Sequence, residues 1–218
     1  MYFESRQQAG AMLAEQLFSQ YRYENCAVVA LNDGGVIVGE QIASWLHCVL
    51  TMLISEAIPI PGEGIDFGAV SQTGQFSYNS SFSPGEVYEY SSEFHGYLED
   101  QKRETYQRIN RLLMDGGTIS TDMLQGRVII VVADAISSVT VLDVLLAFIK
   151  PIRYSRLVVA APTVAIEVVD KLHLQADELH ILDVRENFIT PNHYFENNDL
   201  PAHEDIINKI NTIVLNWR

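Results

Sequence analysis

Three aspartates stand where this chain could do chemistry. Asp134 ends the apolar run VIIVVA at 128–133, Asp33 follows the run CAVVAL at 26–31, and Asp115 precedes the glycine pair Gly116-Gly117. Carboxylates that converge at strand ends hold hard cations such as Mg2+ through their oxygens. If the fold gathers these three, they form a metal or cationic-ligand site. Asp also favours turns for its own backbone hydrogen bonds, so the plainer reading of Asp33 and Asp115 is as exposed turn residues. Small and hydroxyl residues follow Asp134: Ala135, Ser137, Ser138 and Thr140 lead into an apolar helix at 139–149. A helix N-terminus presents free N–H groups and partial positive charge, which hydroxyls can supplement on a phosphate. Gly34 and Gly35 lie between a strand and a helix, the layout of a phosphate cradle, though a glycine pair alone is a weak signal. A tight turn needing positive φ explains them without any ligand. Arg6 in the opening helix is either a phosphate contact or a solvated helix end.

Other site chemistries find little support. His47, His95, His173, His180, His193 and His203 show no metal-type pairing. No G-x-S-x-G nucleophile elbow occurs. Cys26 and Cys48 lack metal-ligand spacing and read as buried, reduced thiols.

The elements that must position these residues follow from hydrophobic spacing. Helices are predicted at 3–21, 36–46, 88–113, 139–149 and 163–172, the last capped by Thr163. A C-terminal helix is predicted from Pro201 to near Trp217. Apolar strands are predicted at 26–31, 49–54, 128–133, 156–161 and 178–183, with a hairpin-like region at 65–82. Strands alternating with helices predict an α/β fold, a doubly wound, mainly parallel sheet flanked by helices. The expected organisation is a single domain over 1–218 with a helical and hairpin insertion at 60–120. In such sheets ligands bind at the C-terminal ends of the strands, where Asp33 and Asp134 fall.

The chain has 218 residues and a formal net charge of −14, from 14 basic and 28 acidic residues. That charge argues against nucleic acid and anionic membranes as partners. No apolar run approaches the ~20 residues of a membrane span, and the first residues lack the apolar centre of a signal peptide. The expected location is the cytoplasm.

The stretch around Asp134 resembles the ribose-phosphate loop of type I phosphoribosyltransferases. In that family two acids hold the ribose hydroxyls, and a Thr/Ser-Gly-x-Thr turn holds the 5-phosphate. Here Ala133 stands at the first acid position and Asp134 at the second. Ala135 stands at a Gly position, Ser138 at the first Thr, Val139 at the next Gly, and the nearby hydroxyl is either Thr140 or is lost to Val141. The Gly34-Gly35 turn resembles the family's pyrophosphate turn, with Asp33 in place of Arg or Lys. Asp115 likewise replaces a basic residue beside its glycines. Arg6 to Gly10 is similar to the family's opening helix, Phe67-Gly68-Ala69-Val70 to one of its strands, and His193-Tyr194-Phe195-Glu196 to its aromatic segment near the base.

The resemblance implies the fold, and a phosphorylated ribose or nucleotide-like small molecule as ligand. It also implies Mg2+-dependent transfer from phosphoribosyl pyrophosphate, and a homodimer through the long helical segment. The replacements point instead to a degraded site. One lost transition-state contact costs ~3 kcal/mol, roughly a hundredfold in rate, and three or four would leave little catalysis. The expectation is a phosphoribosyltransferase-fold protein serving as a non-catalytic binding or regulatory module. One alternative is an active transferase in which Asp134 and Mg2+ hold the ribose while Ser137, Ser138 and Thr140 hold the phosphate. Another is a metal or small-ligand binder using Asp33, Asp115 and Asp134.

Overall fold

The computed structural model describes residues 2–113, 119 and 121–216, with side chains to residue 213. Helix α1 (Arg6–Tyr21) is capped by Ser5, whose hydroxyl accepts from Gln8 N. It buries Ala9, Leu13, Ala14, Leu17 and Tyr21, spaced by one helical face. Strand β1 (Cys26–Ala30) is wholly buried and runs into α2 (Asp33–Leu46) and then β2 (Val49–Met52). The chain next builds an antiparallel sheet from β3 (Ser55–Pro59), β4 (Asp66–Ser71) and β5 (Phe76–Tyr78). Helices α3 (Pro84–Glu93) and α4 (His95–Leu113) follow. Then come β6 (Val128–Val132), β7 (Ala135–Ile136), α5 (Val139–Ile149), β8 (Arg156–Ala165), α6 (Ile166–Gln175), β9 (Glu178–Arg185) and α7 (His203–Asn216).

The chain forms two compact units. The first comprises Met1–Met52, Ile119–Ser137 and Ile152–Arg218. Its sheet has the order β2-β1-β6-β8-β9, with every neighbouring pair parallel. This is the doubly wound, mainly parallel α/β sheet that the alternating pattern predicts. β1 and β6 are buried at every residue, as strands covered on both faces must be. The order reverses between β1 and β6, and that switch point is where doubly wound sheets open a crevice at their C-terminal edge. The second unit comprises Leu53–Thr118 and Ser138–Pro151 and contains the three-stranded antiparallel sheet with α3, α4 and α5. No described helix is long and apolar enough to cross a membrane.

Several elements depart from the sequence-based expectation. The strand expected at 49–54 stops at Met52, where the chain leaves the parallel sheet, and the next strand begins at Ser55. Ile54 then exchanges hydrogen bonds with Gln72: its N donates to the side-chain oxygen at 2.7 Å and its O accepts from Gln72 N at 2.9 Å. The helix expected at 88–113 begins earlier and is broken. Ser83 and Glu86 form a capping box that starts α3 at Pro84. Phe94 leaves the helical region at φ −107°, ψ 25°, with its ring 5.9 Å from Phe67. Thr163 is not a helix cap. β8 continues through it, pairing Thr163 with Ala135 on one side and Asp183 on the other. The C-terminal helix is described to Asn216, so its expected end near Trp217 lies outside the described residues.

Candidate functional site

The site is built in the first unit at the switch point between β1 and β6. The sequence places Asp134 where a strand should end, and β6 does end just before it, at Val132. β6 pairs with β8 up to Val132↔Ala160, and β7 resumes the same register at Ala135↔Thr163. Asp134 therefore lies at a bend in the two-residue gap between β6 and β7, which share one register on β8. Only Ser137 and Ser138 then separate the strand from α5.

Asp134 is 3% exposed, and protein groups take up both of its oxygens. Arg6 Nε donates to Oδ2 at 2.8 Å. Asn32 Nδ2 and Ala135 N donate to Oδ1 at 2.9 and 3.0 Å. Arg6 is equally buried. Its Nη2 donates to Asn192 Oδ1 at 2.6 Å, and its guanidinium lies 4.5 Å from the centroid of the Phe195 ring. The segment bearing Asn192 and Phe195 is pinned to the N-terminus. Phe3 N donates to Tyr194 O at 2.9 Å, Glu196 N donates to Phe3 O at 2.9 Å, and Phe3 and Phe195 form a parallel bridge. Arg6 is thus not a solvated helix end. It is the buried counter-charge of Asp134.

The glycine pair owes its place to this cluster. Gly34 and Gly35 form the first turn of α2, and neither has positive φ. A Cβ on Gly34 would come within 2.1 Å of Asp134 Oδ2 and 2.8 Å of Arg6 Nε. A Cβ on Gly35 would come within 2.8 Å of Val132 O. Close approach, not turn conformation, requires glycine here. Asn32 caps α2 by accepting from Gly35 N at 2.6 Å, while its amide holds Asp134. Sequence reasoning passed over Asn32, although an Asn between a strand and a helix is a cap signal. Nothing local marked Asn192, which reaches the cluster across 186 positions of chain.

The remaining candidates go elsewhere. Asp33 pairs with His203, Oδ1 to Nδ1 at 2.8 Å. Ser137 is exposed. Ser138 and Thr140 belong to the second unit, where the Ser138 hydroxyl caps α5 by accepting from Thr140 N at 3.2 Å and donates to Thr140 Oγ1 at 3.1 Å. Positive φ occurs among the described residues at His47, Gly62, Gly64, Gly74 and Gly126, none of them between 133 and 140. Asp115, with Gly116, Gly117 and Thr118, lies outside the described residues. Among the described residues no three His, Cys, Asp or Glu side chains are grouped to hold a metal.

The fold has known counterparts. The crystal structure of TT1426 from Thermus thermophilus is 24% identical, with 100% of this chain and 99% of that chain covered and a TM-score of 0.74. The AQ2163 protein from Aquifex aeolicus is 10% identical over 85% of this chain and 77% of its own, with a TM-score of 0.51. A purine phosphoribosyltransferase from Pyrococcus horikoshii Ot3 is 13% identical over 89% of this chain and 90% of its own, with a TM-score of 0.47. No family model matches the chain, and no curated protein matches its sequence. The first two likenesses show a shared fold and nothing of activity, and the third is too distant to carry an argument.

Proposed function

We propose that this chain is a phosphoribosyltransferase-fold protein whose ribose-phosphate segment no longer supports transfer, and that it serves as a non-catalytic binding or regulatory module. The observation that carries the reading is the pairing with β8 that resumes at Ala135, directly after Asp134. A loop that cradles a phosphate needs several residues whose N–H groups turn inward, often through left-handed backbone. Here Ala135 and Ile136 are committed to β8, and Ser138 is committed to capping α5. The retained acid is also committed. Taking Asp134 from Arg6 to hold ribose hydroxyls or a cation would leave a buried guanidinium unpaired, at a cost of ~3–5 kcal/mol. Asp33, where a pyrophosphate-binding cation would be wanted, carries negative charge and is paired with His203. These commitments favour a reading without a resident Mg2+. The ligand class kept in this proposal is a phosphorylated ribose or nucleotide-like molecule, and the protein is a cytoplasmic homodimer.

Calorimetric titration with phosphoribosyl pyrophosphate plus Mg2+, with ribose 5-phosphate as comparison, tests the ligand class. Pyrophosphate release in the presence of purine and pyrimidine bases tests transfer. The expected result is no release with any base above that of an Asp134→Ala control. Release that depends on Asp134 overturns the reading.

A further inference from the structure

The opposite edge of the first unit's sheet carries a feature that the proposed function does not use. β1 and β2 pair in parallel from Ala27 opposite Val49, and Cys26 and Cys48 are the residues immediately before that first pair, Cys48 just outside β2. Neighbouring strands lie roughly 4.8 Å apart, inside the ~4.4–6.8 Å Cα separation of disulfide-linked residues. Both thiols are free and buried, and both line one cavity of about 240 Å³ with Glu24, Asn25, His47, Val49 and Arg127.

We infer that Cys26 and Cys48 are a vicinal thiol pair, oxidised to an intramolecular disulfide by low-molecular-weight disulfides that enter this cavity. One cysteine thiolate attacks a sulfur of the small disulfide, forming a mixed disulfide and releasing one small thiol. The second cysteine thiolate then displaces the remaining half as a second small thiol. The protein loses two hydrogens and two electrons, and the small disulfide gains them.

The positions suit a modest adjustment. Cys26 is the first residue of β1, and Cys48 follows His47, which ends α2 in the left-handed region at φ 51°. Drawing the two Cβ atoms to the ~3.8 Å of a disulfide moves strand ends, not the sheet centre. The bond would close a loop containing all of α2, whose first turn holds the Asp134 cluster at its other end. Burial pushes the Cys26 thiol to about 11 and the Cys48 thiol to about 12. Thiolate is therefore scarce at neutral pH, and exchange is slow and accelerates with pH.

The test incubates the full folded chain with excess hydroxyethyl disulfide at neutral pH and at about pH 9. Thiols are then counted in denaturant and the intact mass is measured. The expected result is coupled loss of both thiols, a mass lower by two hydrogens, no covalent dimer, faster reaction at the higher pH, and full reversal by reductant. Cys26→Ser and Cys48→Ser should each stop at the free thiol or a mixed disulfide. Persistence of both thiols overturns the inference. So does an end point of mixed adducts or dimers, or coupled loss only in denaturant that unfolds the chain.

Discussion

Asp134 and Arg6 are each 5% exposed or less at the side chain, and they meet through one short charge-assisted hydrogen bond of 2.8 Å. A buried pair of this kind is weak evidence of stabilisation over an apolar pair of the same shape, because both ions have left water. Breaking it is another matter, since the surviving charge has no solvent to return to. Arg6→Leu is therefore expected to destabilise the protein by ~3–5 kcal/mol. Asp134→Asn should cost a similar amount, because its amide oxygen can still accept from Asn32 and Ala135 N but its NH2 then faces Arg6 Nε and the buried guanidinium loses its counter-charge. The double variant should be far more stable than the sum of the two losses, with a coupling of at least ~2 kcal/mol. Urea unfolding of the four proteins measures this directly. Additive losses would mean that the two residues do not act as a unit, and Asp134 would be free to serve a ligand.

Elements were legible where a residue's own neighbours decide its state. The buried β-branched runs of β1 and β6, and α5 from Val139 to Ile149, stand as the local pattern predicts. What local pattern missed was decided by distant partners. Asp134 bends the chain after β6 as a strand terminator would, but β8 pairs with the chain again from Ala135. Thr163 follows Pro162 and looks like a helix cap, but strands on both flanks of β8 carry the extended chain through it. Its side chain then sits fully buried, with the hydroxyl unpartnered among the described residues. An unpaired buried hydroxyl costs free energy, and Val keeps the shape and the strand preference without that cost. Thr163→Val is thus expected to stabilise the protein by about 1 kcal/mol. Thermal unfolding provides the check, and a loss of similar size would show the hydroxyl to be satisfied. The candidate site was legible as a cluster of residue types but not as a set of bonds. The sequence singles out Gly34, Asp134 and Arg6 separately, and the fold brings them into contact with one another.

At the scale of the whole molecule the governing quantity is charge. A net charge of −14 on 218 residues repels itself across the protein's width. The favourable pairs are short-ranged and mostly on the surface: Lys209 with Glu40 at 2.8 Å, Arg108 with Glu56 at 2.7 Å, Arg156 with Glu178 at 3.0 Å. Exposed pairs of this type contribute ~0–1 kcal/mol each. Salt acts differently on the two. Between roughly 0.01 M and 0.15 M the screening length falls from ~30 Å to ~8 Å, so repulsion across the molecule is largely removed while contacts near 3 Å lose less. Stability should therefore rise with NaCl in that range. A gain of about 1 kcal/mol would lift the midpoint of a chain this size by roughly 2–4 °C. Calorimetry at fixed pH in a NaCl series measures the first transition, which need not include both compact units. A falling midpoint would mean that local ion pairs outweigh the global repulsion. The buried Arg6–Asp134 pair would not account for such a fall, because salt reaches buried charges least.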